Sequence, residues 1–322
     1  MPRVEATLTV SYDKPFSSAP QNPVADRSRS AARPGSGIGL AVCLAVAAMV
    51  SVQTGVSLAV PVIHDYGALS TSSLRLCWAA LALMLFVRPP LHRYDAAQWR
   101  AALILGAAMA IMSLAFFLAI KRLPQHLTVA LEFCGPLAVA ALGARGWRAL
   151  AWPLLAAIGI GLLVQGDARL PGGADPVGIA FALLAAAGWG GYIIMMKKIG
   201  PVFPGLQGLT VSLTVAALLS LPFAVIETGP ALFPWEQLVF TVGLAVLVPL
   251  IPYILEIIAL RRMPAAMFGV LMSLEPAVGA TTGWVFLGQG MSISQMLGTG
   301  LVVAASIEVV RAGRRAADAA SA

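Results

Sequence analysis

Charge is what this chain has least of. Only 11% of its 322 residues are Asp, Glu, Lys or Arg, where an ordinary soluble domain has about 25%. Cysteine is scarce too: Cys43, Cys77 and Cys134 each lie in an apolar run, so no disulfide framework is expected. The three histidines, His64, His92 and His126, fall in loops or at segment ends. No cysteine–histidine spacing suits a metal, and no metal or cofactor is expected. An intramembrane enzyme acting on lipid would need a nucleophile–base or metal constellation, which these scattered residues do not supply. There is no Walker loop, so ATP-driven work by this chain alone is unsupported. Gly159-Ile160-Gly161 and Gly298-Thr299-Gly300 lack the rest of a dinucleotide fingerprint.

What is present is hydrophobic sequence, 59% of the chain. It falls into ten segments near 38–60, 68–87, 98–119, 124–144, 149–165, 175–196, 206–226, 236–259, 264–286 and 291–310. Runs of about 20 apolar residues match a bilayer, and helices satisfy their own backbone there. The fold class is therefore an all-α integral membrane protein. Residues 1–37 are rich in Pro, Ser and Arg, without apolar periodicity, and read as a disordered tail. The run starting near Ile38 is too long for a signal peptide.

The net charge of +7 is distributed as a membrane topology requires, which argues against nucleic acid as partner. With the N-terminus inside, seventeen Lys and Arg fall on the inner side. Three, Lys121, Arg122 and Arg169, fall on the outer side, and Arg75 lies within a segment. This positive-inside bias places both termini in the cytoplasm. Lys121-Arg122 is the exception, and an internal echo accounts for it. Lys121-Arg122-Leu123-Pro124 returns 140 residues later as Arg261-Arg262-Met263-Pro264, with Leu131 and Pro136 matching Leu271 and Pro276. A five-helix unit copied after an odd number of spans must invert. Ten helices in two inverted five-helix repeats are expected, with a site near the midplane.

Polar groups at membrane depth are costly and usually functional. Glu132 lies eight residues past Pro124, and Arg75 seven past Ala68. At 1.5 Å per residue these depths are about 12 and 10 Å. Ser51 and Gln53 reach a similar layer, about 10–14 Å down. A carboxylate, a guanidinium and neutral hydrogen-bonders suit a zwitterion: Arg75 takes its carboxylate and Glu132 its ammonium. Alternatively, Arg75 and Glu132 pair with each other. Glu275 lies near the midplane, before Pro276; its bland reading is a packing acid. Glu256 reads as an interfacial acid near Arg261 or Arg262, and Glu308 likewise. Trp189 and Tyr192 are candidates to line a cavity, although packing is the commoner role of such aromatics. Gly279-x-x-x-Gly283 is a weakly specific close-packing pattern.

Ser51-Val52-Gln53-Thr54-Gly55, Leu74-Arg75-Leu76, Val129-Ala130-Leu131-Glu132-Phe133-Cys134-Gly135-Pro136-Leu137-Ala138-Val139 and Ser273-Leu274-Glu275-Pro276-Ala277 together resemble the drug/metabolite transporter superfamily. The likeness covers residues 38–310 and is closest to the EamA-type, threonine/homoserine exporter group. It implies repeats at 38–165 and 175–310, a cytoplasmic tail at 311–322 and a bacterial inner-membrane location. It further implies a non-enzymatic exporter of small amino acids or related metabolites, driven by proton exchange. For such an exporter, the polar and aromatic groups read above make Ser51, Gln53, Arg75, Glu132, Trp189, Tyr192 and Glu275 the expected substrate-binding residues, with Glu132 the candidate to couple protons. The expected partners are a small-molecule substrate, protons and the lipid bilayer. A non-transporting scaffold or sensor is disfavoured by charges buried in both halves.

Topology is directly testable. Reporters fused after Arg169 and after Ala322 are expected on opposite sides of the membrane; the same side for both removes the ten-span topology.

Overall fold

The computed structural model describes residues 36–143, 151–166, 175–199, 202–229, 234–260, 262–263, 268 and 271–321. Among them every regular element is helical. The helices are α1 Ser36–Tyr66, α2 Ala68–Val87, α3 Ala96–Ile120, α4 Gln125–Glu132, α5 Cys134–Gly143, α6 Ala151–Gly166, α7 Pro176–Ile199, α8 Gln207–Thr228, α9 Trp235–Ala245, α10 Ile251–Leu260, α11 Glu275–Leu287 and α12 Ile293–Ser321. Six stretches among the described residues are long and apolar enough to cross a membrane, in α1, α2, α3, α7, α8 and across α9–α10. The surface fits that reading. Phe86 is 86% exposed and Ile293 78%, while Ser70, Thr71, Ser72 and Ser73 of α2 are fully buried. Apolar groups face out and polar groups face in, the arrangement lipid demands.

Several sequence expectations change in detail. The expected tail at 1–37 lies almost wholly outside the described residues, as do 264–267 and 269–270 of the ninth segment. The expected tail at 311–322 is helical as far as Ser321, continuing α12. Among the described residues the fourth and eighth segments are broken helices, and the ninth turns at Ser273 and Leu274 before α11. The fourth is interrupted at Phe133, between α4 and α5. The eighth is interrupted by a wide turn at Val246–Leu250, where Val248 is extended (φ −148°, ψ 104°). Proline explains both, since it removes a donor and clashes with the preceding turn. Pro136 cannot bond the carbonyl of Glu132, and Pro249 sits inside the second break.

The main packing pairs set α3 on α7 and α8, α9 on α2, α10 on α1, and α4 and α5 on α7. Three further contacts, α2 on α8, α4 on α11 and α6 on α12, join the first half of the chain to the second, as does α11 on α1. Small residues set the closest crossings. A Cβ on Gly298 of α12 would lie 2.5 Å from the carbonyl of Gly159 in α6, and one on Gly135 of α5 2.0 Å from the carbonyl of Ala186 in α7. Such backbone-to-backbone approach is how membrane helices gain contact without a hydrophobic drive between them. At one end, the Glu227 carboxylate accepts from the amides of Ala68 (3.1 Å) and Ser70 (2.8 Å), capping α2 from α8. There an acid stabilises the positive end of a helix. At the turn before α4, exposed Arg122 pairs with Asp175 at 2.8 Å. That bond holds the Asp175 carboxyl below its ordinary range.

Gly135→Ala should force α5 off α7 and destabilise the protein by about 1–3 kcal/mol, the usual cost of overpacking. Gly161→Ala, with nothing within 4 Å of its Cβ position, should be neutral or slightly stabilising. Thermal unfolding of both purified variants in detergent checks the pair; equal melting points would contradict the crossing.

Candidate functional site

The broken helices surround a cavity of about 540 Å³. Val52, Gln53 and Val56 reach it from α1, Arg75 from α2, Ser113 and Phe117 from α3, and Glu132 from the end of α4. Trp189 and Tyr192 of α7, Tyr253 and Glu256 of α10, and Glu275 at the start of α11 complete its polar and aromatic wall. Six of the seven residues expected from the sequence therefore meet here: Gln53, Arg75, Glu132, Trp189, Tyr192 and Glu275.

Ser51 is not brought to this wall. Its hydroxyl turns away and donates to the Leu247 carbonyl at 2.9 Å. Two residues along a helix rotate a side chain by about 200°, so Ser51 and Gln53 face different neighbours. Glu256 departs in the other direction. Expected as an interfacial acid, it lines the cavity with Pro252 and Tyr253, because i, i+1 and i+4 share a helix face. The break at Val246–Leu250 turns that face inward. Its signal in the sequence is the pair Pro249 and Pro252 within one apolar segment.

Arg75 is the centre of the electrostatics. It is 7% exposed. Its Nη1 donates to the Val248 carbonyl at 3.2 Å and its Nη2 to the Ser113 hydroxyl. Ser113 also bonds Ser72 at 2.8 Å. The guanidinium carbon lies 4.9 Å from the centre of the Phe117 ring, a cation–π contact. Nε has no partner. The Val248 carbonyl is free because Pro252, four residues on, has no N–H to offer it. In the wide turn Ile251 N–H reaches back five residues to Val246, and the Leu247 carbonyl, five residues before Pro252, is left for Ser51. One proline thus supplies acceptors to two helices.

Among the described residues the ion pairs within 4.0 Å are Arg122–Asp175 and Arg311–Glu308. Arg75 and Glu132 share the cavity without pairing directly. Glu275 accepts from Gln53 Nε2 at 3.3 Å. Trp189 stacks edge-on against Phe133 at 5.5 Å, fixing the aromatic wall beside the α4–α5 break. Among the described residues no cluster of His, Cys, Asp and Glu could hold a metal.

An apolar helical bundle closed around charged groups, with broken helices at the cavity, is the build of a membrane transport protein. The comparisons agree. The EamA-like transporter family model matches residues 176–311. The threonine/homoserine exporter RhtA of Escherichia coli (strain K12) is 36% identical over 273 residues, covering 83% of this chain and 90% of that protein. RhtA of Salmonella typhimurium (strain LT2) is 36% identical over 268 residues, with the same coverage. The chain belongs to the EamA-like transporter family, and is a multi-pass membrane protein of the RhtA-like group. In fold it also resembles a solved crystal structure at a TM-score of 0.56 and 18% identity, covering 85% of this chain and 98% of that one.

Because Ser51 serves the Leu247 carbonyl and not the cavity, Ser51→Ala should lower stability by about 1 kcal/mol. Substrate KM should stay unchanged. A raised KM at unaltered stability would return Ser51 to the binding wall.

Proposed function

We propose that this protein exports small polar amino acids of the threonine and homoserine kind, or related metabolites, in exchange for protons. Arg75 carries this reading. A buried guanidinium held only by neutral groups, with one N–H unpartnered and a cavity in front, is a receptor for a carboxylate. Glu132 and Glu275 offer the complementary negative charge to an ammonium. Glu132 binds substrate ammonium and protons in turn, so that loading one displaces the other. Gln53, Tyr192 and Trp189 shape and orient the substrate. The names of the RhtA relatives support amino acids as the cargo. The apolar and aromatic remainder of the wall favours a second reading, an exporter of another metabolite or drug class.

Transport proceeds by alternating access of two inverted five-helix repeats, 38–165 and 175–310, in a bacterial inner membrane with both termini cytoplasmic. Two observations support this division. Exchanging α1, α2, α3, α4–α5 and α6 with α7, α8, α9–α10, α11 and α12 carries α3 on α7 into α9–α10 on α1, and α3 on α8 into α9 on α2. The echoed turns also bond alike. Leu123 N–H donates to Ala119 O at 2.8 Å and Met263 N–H to Ala259 O at 3.0 Å, 140 residues apart.

In proteoliposomes the wild type should exchange labelled threonine or homoserine, and a pH gradient should drive net export. Glu132→Gln keeps the shape and removes the charge. It should abolish gradient-driven export while leaving part of the exchange. Arg75→Lys loses the planar fork and should weaken substrate binding about tenfold or more. Folded Glu132→Gln protein exporting at the wild-type rate would strip Glu132 of the coupling role and leave it to Glu275.

A further inference from the structure

A second polar system leaves the cavity at Glu275 and runs to the end of the molecule that carries Pro124. Gln53, bonded to Glu275, accepts at Oε1 from Gln125 Nε2 at 3.1 Å, and its backbone carbonyl accepts from the same nitrogen at 3.0 Å. Gln125 Nε2 lies 3.1 Å from Thr282 Oγ1, and Gln125 Oε1 accepts from Ser57 at 2.7 Å. The Gln125 backbone N–H donates to Gln289, just past α11, at 3.0 Å. Gln53, Ser57, Gln125 and Thr282 are 1–7% exposed. One side chain, Gln125, therefore ties α4 to α1 and to α11.

The surroundings of this joint are unusual for a packing core. α11 presents Gly279 and Gly283 to the glutamines. A Cβ on Gly279 would lie 3.0 Å from Gln53 Oε1, and one on Gly283 3.4 Å from Gln125 Cβ. At these two positions α11 offers bare backbone, and Thr282 between them reaches Gln125 with its hydroxyl. The contact is a small set of directional bonds, which separate as a unit, where interdigitated apolar side chains would have to be unpacked. Its inner end is the Glu275 carboxylate, which lines the cavity.

We propose that Gln125 is the latch of a gate between α1, α4 and α11 on the Pro124 face, and that Gln53 links this latch to whatever occupies Glu275. Glu275 as an acceptor holds the Gln53 amide with its N–H toward the carboxylate and its oxygen toward Gln125. A substrate ammonium or proton that takes up the carboxylate releases that N–H and loosens the orientation on which Gln125 depends. The inference rests on the transport reading for its purpose, but the labelling arm of its test does not require transport.

The test uses full-length protein with Cys43, Cys77 and Cys134 replaced by alanine and Val56→Cys as a reporter in the cavity wall. A membrane-impermeant thiol reagent applied from the Pro124 face should label it slowly. Adding Gln125→Leu should speed that labelling about five- to tenfold, the shift expected when one net hydrogen bond is lost from a two-state equilibrium. Labelling from the opposite face should not rise. An unchanged rate in monodisperse Gln125→Leu protein overturns the proposal, and so does an equal rise from both faces, the mark of general loosening. A second arm does not depend on that variant folding. Gln125→Cys with Gly283→Cys places two Cβ atoms close to the about 3.5–4.5 Å of a disulfide. Oxidation should stop threonine exchange and a reductant should restore it; undiminished exchange by fully cross-linked protein overturns the gate. A wild type that exchanges no amino acid defeats the transport reading, while the labelling arm still decides the gate.

Discussion

A guanidinium taken out of water must be given its hydrogen bonds back, and the region around the cavity is arranged about that requirement. Arg75 sits on a helix whose preceding turn is four buried hydroxyl residues, Ser70 to Ser73. Its acceptors come from two other helical segments, Ser113 of α3 and the Val248 carbonyl between α9 and α10. Neither is charged. A carboxylate directly on Arg75 would have closed the site into a structural ion pair, which typically contributes little net stability. Neutral acceptors hold the side chain in place and leave its charge for a ligand.

The same economy explains why the cavity is lined by broken helices. Backbone at membrane depth is unpaired only where something else completes it. Pro252 leaves the Leu247 and Val248 carbonyls without a helical partner, and side chains from α1 and α2 take them up. Site and scaffold are thus not separable: Pro252 frees a carbonyl that orients Arg75 and another that anchors Ser51.

Much of this was legible in the sequence because lipid restricts the choices. Composition required helices, apolar runs located them, and charged residues within those runs had to be explained by a cavity. Counting residues from the segment ends put Gln53, Arg75 and Glu132 in one layer, and they share one wall. What counting cannot give is rotation about the helix axis, which separated Ser51 from Gln53. Nor does it give the phase of a helix beyond an irregular turn, which brought Glu256 inward. The choice between a paired and an open Arg75 was likewise hidden, because it depends on acceptors from segments 38 and 173 residues away. Gln125 carries no signal of its own in the sequence; its three-helix role depends on the bareness of Gly279 and Gly283 opposite.

The length of α12 has a consequence for the far side of the protein. A straight helix of 29 residues is about 43 Å long, and the hydrocarbon layer is about 30 Å thick. The last turns must therefore stand clear of the lipid tails. Exposed Arg311 stands on this helix beyond the apolar stretch Ile293–Ala305, paired with Glu308 at 2.7 Å. A cation just past an apolar stretch is drawn toward anionic headgroups, so Arg311 resists any slide of α12 that would carry it into the lipid tails.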